Sequence, residues 1–420
     1  MSRYPAILNL GFRLFFFTAS VFAVLTMLAW LLAYQFGYYG MMGEFVPAWW
    51  HGHEMLYGYA AAVVTGFLFT AVQNWTGVPM PRGWQLFLYW LPWFVARLCF
   101  ALLPLLHAAI AQSIAEATGT ACKTDCGFWF DLTKHGLLIA ACFDLIFALG
   151  GLYGVAKPVF AVKQRRQMGL VSKMALLAIG QVLFILGLTQ TLASGILWSL
   201  YLGIFIVIAI VLTIGRRVMP FFTEKGVGYP FTPKNSALLD RACLLTFTAF
   251  FLLKVFTPWH GAASVFAFAT AVCNAWRLAG WYTYGIWRRP LLWSMYLSFA
   301  GMIFGFLLFA SQLVWTKVSD SLAIHALTFS GIGLLTLSMM ARVSLGHSGR
   351  SIHEPPRVAV VALYLLCVGF VFRTVLPLVA FSQFRLWIAM AQVLWIFAFC
   401  LLLHGYTLIW FRPRVDGKPG

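Results

Sequence analysis

The sequence predicts an all-α polytopic membrane protein, a bundle of about twelve transmembrane helices with both termini in the cytoplasm. Three observations lead there. The 420 residues are 62% hydrophobic and only 10% charged, with a mean hydropathy of +0.87, whereas a soluble domain carries about a quarter charged residues. Apolar runs of spanning length, about 20 residues, recur along the whole chain. The basic residues are sorted by side as the positive-inside rule requires.

The first run, Leu14–Phe36, is about 23 residues, too long for a signal-peptide core, and no small-x-small cleavage site follows it. It is therefore read as a span. The second, His53–Gln73, starts behind the interfacial pair Trp49-Trp50. Leu86–Leu106 and Gly136–Ala156 follow. The fifth and sixth, Ala175–Thr191 and Gly195–Ile214, are parted only by Leu192-Ala193-Ser194. The second half contributes Ala237–Val255, Ala262–Tyr282, Leu291–Val314, Ala323–Ser344, Val358–Leu376 and Leu386–Trp410.

With the N-terminus inside, 20 of the 29 basic residues fall on inner segments, and only Lys123, Lys134, Lys317 and Arg385 fall outside. The net charge of +18 then reports orientation rather than nucleic-acid binding. Residues 1–420 read as a single integral membrane domain, with an outer loop at 107–135 and inner loops at 157–173, 215–236 and 346–357. The outer loop carries Cys122 and Cys126 at the spacing of a binuclear copper site, but no histidine follows until His135. A disulfide facing an oxidising compartment, or two unrelated thiols, are the readings left. The other six cysteines read as small apolar packing residues.

Ionisable side chains in lipid are expensive and by default mark function. The cluster His51-Gly52-His53-Glu54-Met55 opens the second span. On a helix, His51 and Glu54 share one face, while His53 and Tyr57 share another. Both histidines can serve one ion only if His51 precedes the first turn. A helix cap and a rim position are the alternatives to a metal site. His325 stands above Thr328, Gly331 and Gly333, a face open either to a close neighbouring helix or to a flat macrocycle. At the inner rim, Arg13, Arg216, Arg217, Arg342, His347 and Arg350 suit an anionic partner such as a haem propionate or lipid headgroup, or serve as plain positive-inside anchors.

Several blocks together resemble the NnrS family. They are Leu10-Gly11-Phe12-Arg13, Trp50-His51-x-His53-Glu54-Met55, Gln73-Asn74-Trp75-Thr76-Gly77, Gly215-Arg216-Arg217-Val218-Met219-Pro220, His325-Ala326-Leu327-Thr328 and Arg342-Val343-Ser344-Leu345-Gly346-His347-Ser348-Gly349-Arg350. The resemblance implies a twelve-helix bacterial inner-membrane protein that contains haem and copper and is linked to nitric oxide metabolism, denitrification and nitrosative stress. It points to His51, His53 and Glu54 as metal residues and to His325, His347, Arg13, Arg342 and Arg350 as cofactor-binding residues. The implied partners are the lipid bilayer and nitric oxide or iron–nitrosyl species, with room for an electron-donor protein. No catalytic residue follows from it. The chain departs from the family at Tyr296, where a histidine is common.

Two other classes compete. Twelve helices suit a secondary transporter, but the two halves share no repeated blocks. A haem- or copper-handling accessory protein would draw on Met41, Met42 and Met55 beside the histidines, since thioether and imidazole suit Cu(I).

Overall fold

A computed structural model describes residues 4–40, 42, 45–118, 127–315 and 317–418. Met41, Cys122, Lys123 and Cys126 lie outside them. The long helices are α1 (Gly11–Phe36), α2 (Pro47–Thr76), α3 (Trp84–Thr118), α4 (Gly127–Ala161), α5 (Arg165–Leu188) and α6 (Gly195–Gly226). They continue as α7 (Ala237–Phe256), α8 (His260–Trp281), α9 (Pro290–Ser311), α10 (Asp320–His347), α11 (Arg357–Val379) and α12 (Phe381–Phe411). These helices fall on the twelve predicted spans, and the chain is an all-α polytopic membrane protein.

Eleven of the described helices are long and apolar enough to cross a bilayer. The predicted seventh span, Ala237–Val255, is helical but is not among them, because α7 carries Asp240, Arg241 and Lys254. Two of these charges are neutralised by neighbours. Asp240 accepts from Arg216 at 3.1 Å and from Arg277 at 3.0 Å, and Lys254 pairs with Asp320 at 2.7 Å. Twenty residues at about 1.5 Å each reach about 30 Å, so α7 has the length of a span.

The predicted loops are shorter than polarity suggested. Residues 107–118 and 127–135 of the outer loop are helical, as are 157–161, 165–173 and 215–226 of the inner ones. Polarity marks where lipid ends, while a helix continues as long as its backbone bonds close.

The chain divides into two compact units, Met1–Ile206 and Val207–Gly420. In the first, α1 and α2 cross in close contact. A Cβ on Gly66 would lie 2.4 Å from the Phe15 Cβ, and one on Gly11 would lie 2.6 Å from the Phe69 Cβ. Small residues bring the two backbones together, and the Phe12 amide donates to the Thr70 hydroxyl at 2.9 Å. In the second unit, α10 is the buried core helix. Ser338 on it donates to Ser294 of α9 at 2.8 Å, and Trp410 of α12 donates to its Ser344 at 2.8 Å.

Among the described residues the helices widen into π-turns at Glu54–Ala60, Phe329–Leu334 and Val371–Val375. Such turns carry i→i+5 bonds and cluster at functional sites. Here the first begins at Glu54 and the second lies one turn beyond His325.

Candidate functional site

Pro47 opens α2, where its fixed φ and missing N–H cost nothing. His51 is therefore already in the second turn, and the condition for a shared ion is not met. The His51 ring stacks on Trp30 at 4.6 Å and 7°. His53 turns into the core of unit 1, with its ring centroid 4.2 Å from Phe184 and 4.8 Å from Phe100.

Beside His53 lies a buried network that sequence reading did not assemble. Arg97 of α3 donates from Nη1 to Glu54 Oε1 at 2.5 Å and from Nη2 to Asp144 Oδ2 of α4. His53 Nδ1 is 2.9 Å from Glu54 Oε1, and its Nε2 is 3.7 Å from Asp144 Oδ2. The four residues are 0%, 1%, 5% and 1% exposed in the order His53, Glu54, Arg97, Asp144. Gly58 makes room for them. A Cβ there would sit 2.7 Å from Arg97 Nη1, and the Gly58 carbonyl accepts from Trp93 at 2.7 Å.

Removing such charges from water costs several kcal/mol each, so the fork of Arg97 between two carboxylates is what makes their burial tolerable. Among the described residues, Asp144 Oδ1 and His53 Nε2 have no hydrogen-bond partner. A cavity of about 20 Å³ beside Asp144 is lined by Tyr57, Thr65, Met174 and Gln181, room for roughly one water. Tyr57 is not aimed at His53 as an acid–base partner, because its hydroxyl donates to the Ser199 carbonyl at 2.8 Å. The chemistry open to the cluster is charge and proton sharing between an imidazole and two carboxylates.

In unit 2, Ser319 caps α10 by accepting from the Leu322 amide, and His325 follows in the second turn. Its Nδ1 faces the Ser321 carbonyl at 2.6 Å, which fixes the tautomer with Nδ1 as donor. Gly331 and Gly333 are used for packing. Cβ atoms there would lie 2.6 Å from Met302 Sδ and 2.4 Å from Trp395, so of the two readings of this face it is close packing against neighbouring helices that takes up these glycines. Tyr296, at the family's histidine position, donates to the Trp281 carbonyl and pairs with Thr223 at 3.0 Å.

A family model described as NnrS protein matches residues 6–414. The chain belongs to the NnrS family. No curated protein matches it.

Of the residues the NnrS resemblance pointed to, Arg13 is fully buried in α1 with its guanidinium 5.3 Å from the Phe12 ring. His347 ends α10, and its carbonyl accepts from Arg414 at 2.9 Å. Arg350 follows that helix, half-buried. Arg342 is 5% exposed and lies 3.9 Å over Phe222.

The metal set His51, His53 and Glu54 does not fit a shared ion. The two histidines sit in different environments, Glu54 is held by a guanidinium, and among the described residues no three His, Cys, Asp or Glu side chains converge as ligands. Arg97 and Asp144 are the site residues that sequence reading missed. The available signal was a lone base and a lone acid within separate apolar spans.

The C-terminal tail docks beside His347. Arg414 holds Asp416, which sits at the surface, and the Arg414 hydrogen bonds draw that carboxylate down to about 2. A depressed carboxylate stabilises the docked tail above its ordinary range and loses the effect as pH falls through the lowered value. Protection of the Val415 amide, which donates to the Ser348 carbonyl at 3.1 Å, measured against the free-peptide exchange rate at each pH, should therefore hold from neutral pH down to about 4 and fall only toward about 2. Protection lost near neutrality would contradict this.

Proposed function

We propose that this protein binds haem in the bacterial inner membrane and acts in nitric oxide metabolism or protection from nitrosative stress. The observation that supports it best is the imidazole of His325, held through Nδ1 by a backbone carbonyl in a family block. A ligating histidine almost always donates its other nitrogen in this way, which directs coordination through Nε2. Haem with one imidazole ligand and an open sixth position supplies a binding site for nitric oxide.

The rest of the reading concerns this chain's own side chains. Ser321 sets the ring orientation through its carbonyl. Nitric oxide is small and apolar, so lipid itself is an entry route. The His53 cluster sets both carboxylates against Arg97, and among the described residues it brings no three ligands together for copper.

Protein expressed with haem in excess is expected to show a Soret band that shifts when nitric oxide is added to the reduced form. His325→Ala should remove most of the band, while His51→Ala, whose ring stacks on Trp30, should retain it. A wild-type preparation without a Soret band, or a His325→Ala variant with an unaltered one, would sink this reading.

A further inference from the structure

Arg342 poses a problem of electrostatics. Its guanidinium lies on the buried helix α10, is 5% exposed, and covers the Phe222 ring at 3.9 Å. Two other buried arginines have acids: Arg97 has Glu54 and Asp144, and Arg277 has Asp240. Arg342 has neither carboxylate nor hydrogen-bond partner among the described residues.

Its surroundings add positive charge. The half-buried Arg289 and the exposed His353 stand near enough for the two arginines to act on the imidazole electrostatically. Partial burial, then Arg289 and Arg342, hold His353 below its usual range, against Glu354, which raises it. Glu354 is the acid in this group, and it is exposed and acts on His353. A dehydrated, uncompensated charge is among the costliest features a fold can carry. A stacked, weakly hydrated guanidinium with its donor edge unused is the usual arrangement for gripping two oxygens of one anion.

We propose that Arg342, with Phe222 as its platform, forms a binding site for a phosphate-type oxyanion at the end of unit 2 that the basic residues assign to the cytoplasm. The chemistry has two sources, an anionic lipid headgroup and free phosphate. The site needs no haem, so it stands or falls separately from haem binding at His325.

The test uses full-length protein, stripped of lipid in a neutral detergent and kept at constant ionic strength with chloride. Inorganic phosphate is titrated while the melting temperature is followed. The same measurement is made in nanodiscs of phosphatidylglycerol and of phosphatidylcholine. Wild type should gain stability with phosphate or with phosphatidylglycerol. Arg342→Gln should weaken that response at least about tenfold, the loss expected for a charge-assisted hydrogen bond.

A response to phosphatidylglycerol alone assigns the lipid headgroup, and one to inorganic phosphate assigns the free anion. Arg342→Met guards against a trivial folding defect, because removing an uncompensated buried charge should leave the anion-free protein as stable as wild type or more so. Equal responses in wild type and Arg342→Gln would overturn the proposal. So would no response to either probe, or a large loss of stability in anion-free Arg342→Met.

Discussion

Arg97→Leu is expected to destabilise unit 1 by about 3–5 kcal/mol, the cost of stranding buried charge. The variant would leave Glu54 and Asp144 facing each other and His53 with no cation between them, all at 1% exposure or less. Among the described residues Asp144 Oδ1 is already without a hydrogen-bond partner, so loss of the guanidinium leaves that carboxylate with no donor in place.

The cost should lie in the unmatched charges rather than in lost packing. Arg97→Leu combined with Glu54→Gln and Asp144→Asn should therefore recover most of the loss, and the three sites should be strongly non-additive. Arg97→Lys should fall between, since a point charge cannot fork to two carboxylates. Thermal melting of the detergent-solubilised protein reads all of these. An Arg97→Leu protein that melts with wild type would show that the network contributes nothing to the fold.

Gly66→Val is expected to be nearly as damaging through sterics alone. The added Cβ would meet the Phe15 Cβ at 2.4 Å, and a Cβ cannot swing aside as the end of a flexible side chain can. Separating α1 from α2 would also stretch the bond from the Phe12 amide to Thr70. Overpacking of this kind costs about 1–3 kcal/mol, and more where the backbone resists. Gly169→Ala is the control, because its nearest neighbour is the Lys173 Nζ at 3.9 Å. If both glycine variants expressed and melted alike, the close crossing of α1 and α2 would be wrong.

Much of the architecture was legible because the bilayer imposes it. Twenty apolar residues and the asymmetry of arginine and lysine placed the twelve helices, including α7, whose charges hide their pairing until Arg216, Arg277 and Asp320 are seen beside it. The site was legible only in part. His53 and Glu54 announce themselves as adjacent ionisable residues, but their partners come from α3 and α4. Arg97 and Asp144 are 47 positions apart and carry no local pattern that joins them. Helical periodicity rightly separated His51 from His53. It could not say that His51 stacks on Trp30, or that Gly331 and Gly333 are taken up by Met302 and Trp395, because those neighbours are set by tertiary packing.

The π-turn at Glu54–Ala60 constrains how this part of the chain can change in length. A widened turn holds one residue more than the α-helical path requires, and each residue of an α-helix advances the azimuth by about 100°. Losing one residue between Tyr57 and Ala60 would close the bulge into ordinary helix. It would leave His53 and Glu54 on one side, and Gly66 and Thr70 on the other, close to their present registers. Elsewhere in the same helix a deletion would damage one face of a span. Here the surplus residue absorbs the loss, so this stretch is where α2 should best accept a one-residue deletion, provided Gly58, where a Cβ would meet Phe22 and Arg97, is kept.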